Sequence, residues 1–197
     1  MSGLPAFHLS SRFLKFAVAA AALVSQAAFA VPVTFSGALT QSDPVFNRPF
    51  TATTLSTVGT AVAYDLYGFH VDAAGTYSAE ATGFLSNTAD TFLALYQGTF
   101  NPRSPLTNLV TYDDDSGTGA LSLLTASLQA GTQYYLVFTS YSNGQYGEYN
   151  GRFNTVSGSG QVTLDGAAAA VPEPASLALT GAGLAGLLAL RRRRRQA

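Results

Sequence analysis

The chain has 197 residues, a formal net charge of −1 and no cysteine. The missing cysteine excludes a disulfide-stapled scaffold and a thiolate nucleophile. Charge is unevenly divided: residues 31–170 hold three arginines (Arg48, Arg103 and Arg152) and no lysine against ten carboxylates. Such a balance repels nucleic acid and anionic lipid, so no nucleic-acid partner is expected.

The first thirty residues have the layout of a secretory signal. Arg12 and Lys15 form a basic start, Phe16 to Val24 is apolar and Ala-rich, and Ala28-Phe29-Ala30 obeys the small-x-small cleavage rule. The expectation is a signal peptide over 1–30, export by Sec-type machinery and a mature chain that begins at Val31. The alternative, an uncleaved anchor, is disfavoured because the apolar run is too short to span a bilayer.

Residues 31–170 have the length of one domain. No sustained helical period runs through them. Short runs of Tyr, Phe, Val and Thr recur between Gly, Asn, Asp and Pro. The expected strands are Val33–Leu39, Ala63–Val71, Gly75–Thr82, Thr91–Tyr96, Leu109–Tyr112, Leu121–Ala126, Gln133–Ser140, Gly147–Asn154 and Gly160–Leu164. The fold class is all-β: a single antiparallel β-sandwich, jelly-roll-like. The Thr-rich stretch 47–62 gives no clear strand signal.

Alternation assigns faces. Tyr67, Phe69 and Val71 share a buried face, as do Leu93 and Leu95. Leu136 and Phe138 alternate with Tyr135, Val137 and Thr139, the pattern of a strand covered on both faces. Ala74-Gly75-Thr76-Tyr77 and Ala130-Gly131-Thr132-Gln133-Tyr134 each read as a turn feeding a strand.

Part of this region, about 63–154, resembles the bacterial pre-peptidase C-terminal (PPC-like) domain. The resemblance rests on Tyr67-Gly68-Phe69-x-Val71, Gly75-Thr76-Tyr77, the run Asp90 to Tyr96, Asp113-Asp114-Asp115-Ser116-Gly117 and Leu128-x-Ala130-Gly131-Thr132-x-Tyr134-Tyr135-Leu136. It implies a small jelly-roll-like binding or accessory module, in some cases with calcium.

The acidic run is the sharpest candidate site. Adjacent carboxylates repel unless solvated or paired with a cation. Ca²⁺ takes six to eight oxygen ligands from loops of this kind. Alternation in Asp113-x-Asp115-x-Gly117 lets Asp113 and Asp115 face one ion, which makes them the expected metal ligands. Asp90, which opens a strand, could face the same rim. A solvated turn between two strands is the competing reading.

Catalysis has little support. His70 is the sole histidine of residues 31–170, and alternation puts it on an outer face. No Gly-x-Ser-x-Gly elbow precedes a helix, and no zinc-ligand or phosphate-loop pattern occurs. The domain is expected not to be an enzyme. Tyr134, Tyr135, Tyr141, Tyr146 and Tyr149 could stack on sugar rings or could be ordinary strand composition. A flat ice-binding array is rejected, because Thr51-x-Thr53 does not repeat.

The tail, 171–197, reads Val171-Pro172-Glu173-Pro174, an uncharged run over 175–190, then Arg191, Arg192, Arg193, Arg194 and Arg195. The prolines hold the chain extended, and Pro174 suits a helix's first turn. Sixteen helical residues reach roughly 24 Å, enough to cross a bilayer when arginines snorkel. The arginine cluster fixes the topology with the ectodomain outside. Triplet, apolar helix and arginine cluster in this order resemble the PEP-CTERM sorting signal. That resemblance implies an exosortase as partner, Pro172, Glu173 and Pro174 as its recognition residues, anchoring in the inner membrane through the C-terminal helix, and an exopolysaccharide-associated surface or matrix protein. The alternative is a carbohydrate- or calcium-binding accessory module at the cell surface.

Overall fold

The computed structural model describes residues 31–166, and every regular element in them is a strand. In chain order these are β1 (Val33–Leu39), β2 (Val45–Phe46), β3 (Val62–Val71), β4 (Gly75–Phe84), β5 (Thr91–Gln97), β6 (Leu109–Asp113), β7 (Leu123–Leu128), β8 (Tyr134–Ser140), β9 (Gly147–Ser157) and β10 (Val162–Leu164). One sheet has the order β1-β9-β4-β7, the other β10-β3-β8-β5-β6, with β2 also paired to β3. All named pairings are antiparallel. The expected β-sandwich is therefore found. No helix of the described residues is long and apolar enough to cross a membrane.

The core follows from strand alternation. Between the sheets lie Phe35, Leu39, Phe69, Val71, Tyr77, Leu93, Leu95, Leu136, Phe138, Tyr149 and Phe153, all buried. Phe138 of β8 is its centre. Its ring stacks on Tyr149 with centroids 3.6 Å apart and meets Phe84 edge-on at 5.8 Å. Gly151 is required here: a Cβ at this position would collide with the Phe35 ring.

A second cluster covers the other face of β5 and β8. Phe46, Val62, Phe92, Ala94, Tyr96 and Val137 pack there with Tyr64, Phe100 and Tyr112. Both strands are thus buried on two sides, which explains their continuous apolar runs. Tyr96 finds a partner in the Pro105 carbonyl at 2.9 Å. The expected strands differ from the observed ones only at their ends. The exceptions are β2 and the Pro49–Leu55 bridge, which sequence alternation does not reveal.

The registers place the loops at two ends. At one end, called the rim, lie segments 40–61, 85–90, 114–122 and 141–146. At the other lie 72–74, 98–108, 129–133 and 158–161.

A polar contact crosses the sandwich. Tyr149 of β9 hydrogen-bonds Asp65 of β3 at 2.5 Å, and the Tyr67 hydroxyl reaches both Tyr149 (2.5 Å) and the Ser36 carbonyl (3.1 Å). Burial pushes Asp65 upward in pKa, and the Tyr149 hydroxyl opposes that shift.

Candidate functional site

The acidic rim is built by two segments. Asp90 ends the β4–β5 loop, and Asp114 and Asp115 follow β6. One carboxylate oxygen from each of these three residues lies within 4.8 Å of the others. Backbone bonds hold the segments in place: Tyr141 N donates to the Asp90 carbonyl at 3.2 Å, and Thr91 N to the Ala120 carbonyl at 3.0 Å. Beneath them the Thr91 and Ser122 hydroxyls bond at 2.9 Å.

Asp113 plays another part. Its Oδ1 accepts from Leu123 N at 2.6 Å and Ser116 N at 3.1 Å, so it organises the turn into β7. The structure thus brings Asp115 together with Asp114 and Asp90 rather than with Asp113. The expectation assumed that strand alternation continues past Asp113. The strand ends there, and the chain turns.

The electrostatics of the trio are unbalanced. Asp90 Oδ1 and Asp114 Oδ1 are buried and have no hydrogen-bond partner among the described residues. Burial, then repulsion from Asp115, pushes the Asp114 carboxyl up to about 6. The same two causes raise Asp90, and the Arg48 charge partly offsets both shifts. Arg48 is itself buried, at 2% exposure. Its guanidinium lies over the rings of Phe92 (4.4 Å) and Tyr141 (4.2 Å), and its Nε donates to the Tyr141 carbonyl at 2.7 Å. Sequence reading missed this residue, because its partners stand far away along the chain.

Two orphaned buried oxygens beside a third carboxylate suit a hard divalent cation, whose ligands are oxygens. Asp90, Asp114 and Asp115 would supply part of a calcium shell, with water or backbone carbonyls completing it.

Other expected features fall elsewhere. His70 is half exposed on the β3–β10 edge, with Nδ1 3.4 Å from Asp165 Oδ1. Gln133 Nε2 donates to the other Asp165 oxygen at 2.6 Å. The tyrosine cluster goes largely into the interior. Tyr134 and Tyr149 are buried, Tyr146 packs against the core between the sheets, Tyr135 packs against the second cluster, and Tyr141 lies against Arg48. Thr51 and Thr53 sit in the tip of a short hairpin.

The signal peptide over 1–30 with Ala28 and Ala30, the triplet Pro172, Glu173 and Pro174, the helix over 175–190 and the cluster Arg191, Arg192, Arg193, Arg194 and Arg195 lie outside the described residues. Comparison with protein families reaches one of these segments. Residues 170–194 match the PEP-CTERM protein-sorting motif. The motif marks an exported, cell-envelope-associated protein that an exosortase processes. It contains the expected Pro172-Glu173-Pro174 triplet and most of the arginine cluster. No curated protein matches the chain.

Proposed function

We propose that this is a non-catalytic surface or matrix protein. In this reading the signal peptide is removed after Ala30, the exosortase recognises Pro172, Glu173 and Pro174, and the released or anchored sandwich associates with exopolysaccharide. The observation that carries the reading is the sorting motif over 170–194, set behind an acidic β-sandwich. The C-terminal apolar run inserts in the inner membrane, and Arg191 to Arg195 hold its end in the cytoplasm. The resemblance to PPC-like modules supports an accessory role for the sandwich.

The rim adds calcium to this proposal, with Asp90, Asp114 and Asp115 as ligands. A bound cation relieves the repulsion among three carboxylates and stabilises the native state by mass action. The gain is about 2.7 kcal/mol at a hundredfold excess over the dissociation constant. The purified protein should therefore melt higher in millimolar calcium than in chelator at matched ionic strength. Asp90→Asn with Asp114→Asn should erase the difference, while magnesium should shift the transition less. Equal melting temperatures with calcium and chelator would return the rim to a solvated turn. The sorting reading is tested separately, by the fate of the triplet, and stands or falls without calcium.

A further inference from the structure

The two ends of the sandwich differ in apolar exposure and in charge. Of the nine exposed large hydrophobics among the described residues, Val45, Phe50, Leu55, Val58 and Leu85 belong to the rim end. Scattered exposed apolar residues need no explanation, but a concentration on one end marks a contact surface. Phe50 is the more exposed of the hairpin's two large hydrophobics, at 62%. It is held rigidly. Its N–H donates to the Thr54 carbonyl at 2.8 Å, and Thr51 Oγ1 accepts from Thr53 N and Thr54 N at 3.2 and 3.0 Å. An exposed aromatic on a hydrogen-bonded turn suits an anchor.

Charge is divided in the same way. Asp43, Asp90, Asp113, Asp114, Asp115 and Glu148 stand at the rim end, whose only arginine is the buried Arg48. One divalent cation on the trio would still leave that end negative. Arg152 is paired with Glu80 at 2.7 Å. That leaves Arg103, exposed on the 98–108 loop of the opposite end, which also carries Asp72, and in no ion pair among the described residues. Beside that loop is an open hollow of about 600 Å³, lined by Gln97, Gly98, Thr99, Asn108, Leu109 and Val110. Its walls carry no charge, and Val110 is exposed at 41%.

We propose that the protein associates head to tail with further copies of itself, the Phe50 hairpin of one copy seating in the Gln97–Val110 hollow of the next. Arg103 of the receiving copy then faces the acidic rim of the incoming one. Knob and hollow are different surfaces on opposite ends, so the contact is heterologous and propagates as a row of copies rather than closing as a two-fold dimer. The Phe50 ring packs against Leu109 and Val110 among the polar walls of the hollow, and the charge pairing sets orientation and salt dependence.

The absence of cysteine gives a clean test in the full chain, expressed in cells that export and process it. Ala52→Cys lies at the hairpin tip, and Ser104→Cys lies next to Arg103, both exposed. Under oxidising conditions the doubly substituted chain should give a ladder of dimers, trimers and higher species on a non-reducing gel. Each single substitution alone should remain monomeric. Adding Arg103→Glu or Phe50→Ser to the double variant should collapse the ladder. Both positions are exposed, so folding is not at issue. A doubly substituted chain that stays monomeric would overturn the proposal. So would dimers from Ala52→Cys alone, which indicate a two-fold contact, or a ladder indifferent to Arg103→Glu and Phe50→Ser.

Discussion

Replacing Phe138 with alanine should lower the unfolding free energy by about 3–5 kcal/mol, the usual cost of truncating a fully buried aromatic. Phe138 has no exposure, and its ring reaches from β8 across the sandwich onto Tyr149, Phe84 and Phe35 of the facing sheet. Neighbours drawn from several strands cannot collapse together into the space, so the cavity persists. A single domain holds about 5–15 kcal/mol in total, so the variant should be partly unfolded at growth temperature. Phe50→Ala is the contrasting substitution: it removes an equal ring from an exposed site and should change stability by no more than about 0.5 kcal/mol. Denaturant titration of both variants measures the difference. Equal midpoints would mean that the core is not centred on β8.

The second large effect concerns sorting. Replacing Pro172, Glu173 and Pro174 together with alanine should leave an unprocessed, membrane-associated form in place of the mature one. The substitution removes two prolines, which disfavour helix, and the one side-chain carboxylate of residues 171–197. Fractionation and immunoblotting separate the two forms. Wild-type and variant chains processed to the same size would show that the triplet is not read.

Much of the sandwich is legible in the sequence because its strands carry local signals. β5 and β8 are apolar on both faces and come out so in the structure. Tyr67, Phe69 and Val71 turn toward the core as their alternation requires. β2 is not legible, since two residues have no period, and their pairing is fixed by Val62 and Ala63 elsewhere in the chain. The rim is legible only in part. Asp115 and the neighbourhood of Asp90 follow from local composition. The exchange of Asp113 for Asp114 depends on where β6 stops, and the Leu123 N–H that occupies Asp113 belongs to the next strand. Arg48 reads as an ordinary polar loop residue. Its burial is decided by Phe92 and Tyr141, which arrive from β5 and the β8–β9 loop. The tyrosines suggest a sugar platform by composition, but the strand registers direct Tyr134 and Tyr149 inward.

The account turns on export and exosortase processing of a β-sandwich, and the intact mass of the wild-type protein recovered from the cell envelope tests it most directly. The predicted species begins at Val31 and lacks Arg191 to Arg195, having been cut near Pro172-Glu173-Pro174. A single species that still carries Met1 and the arginine cluster would contradict the account.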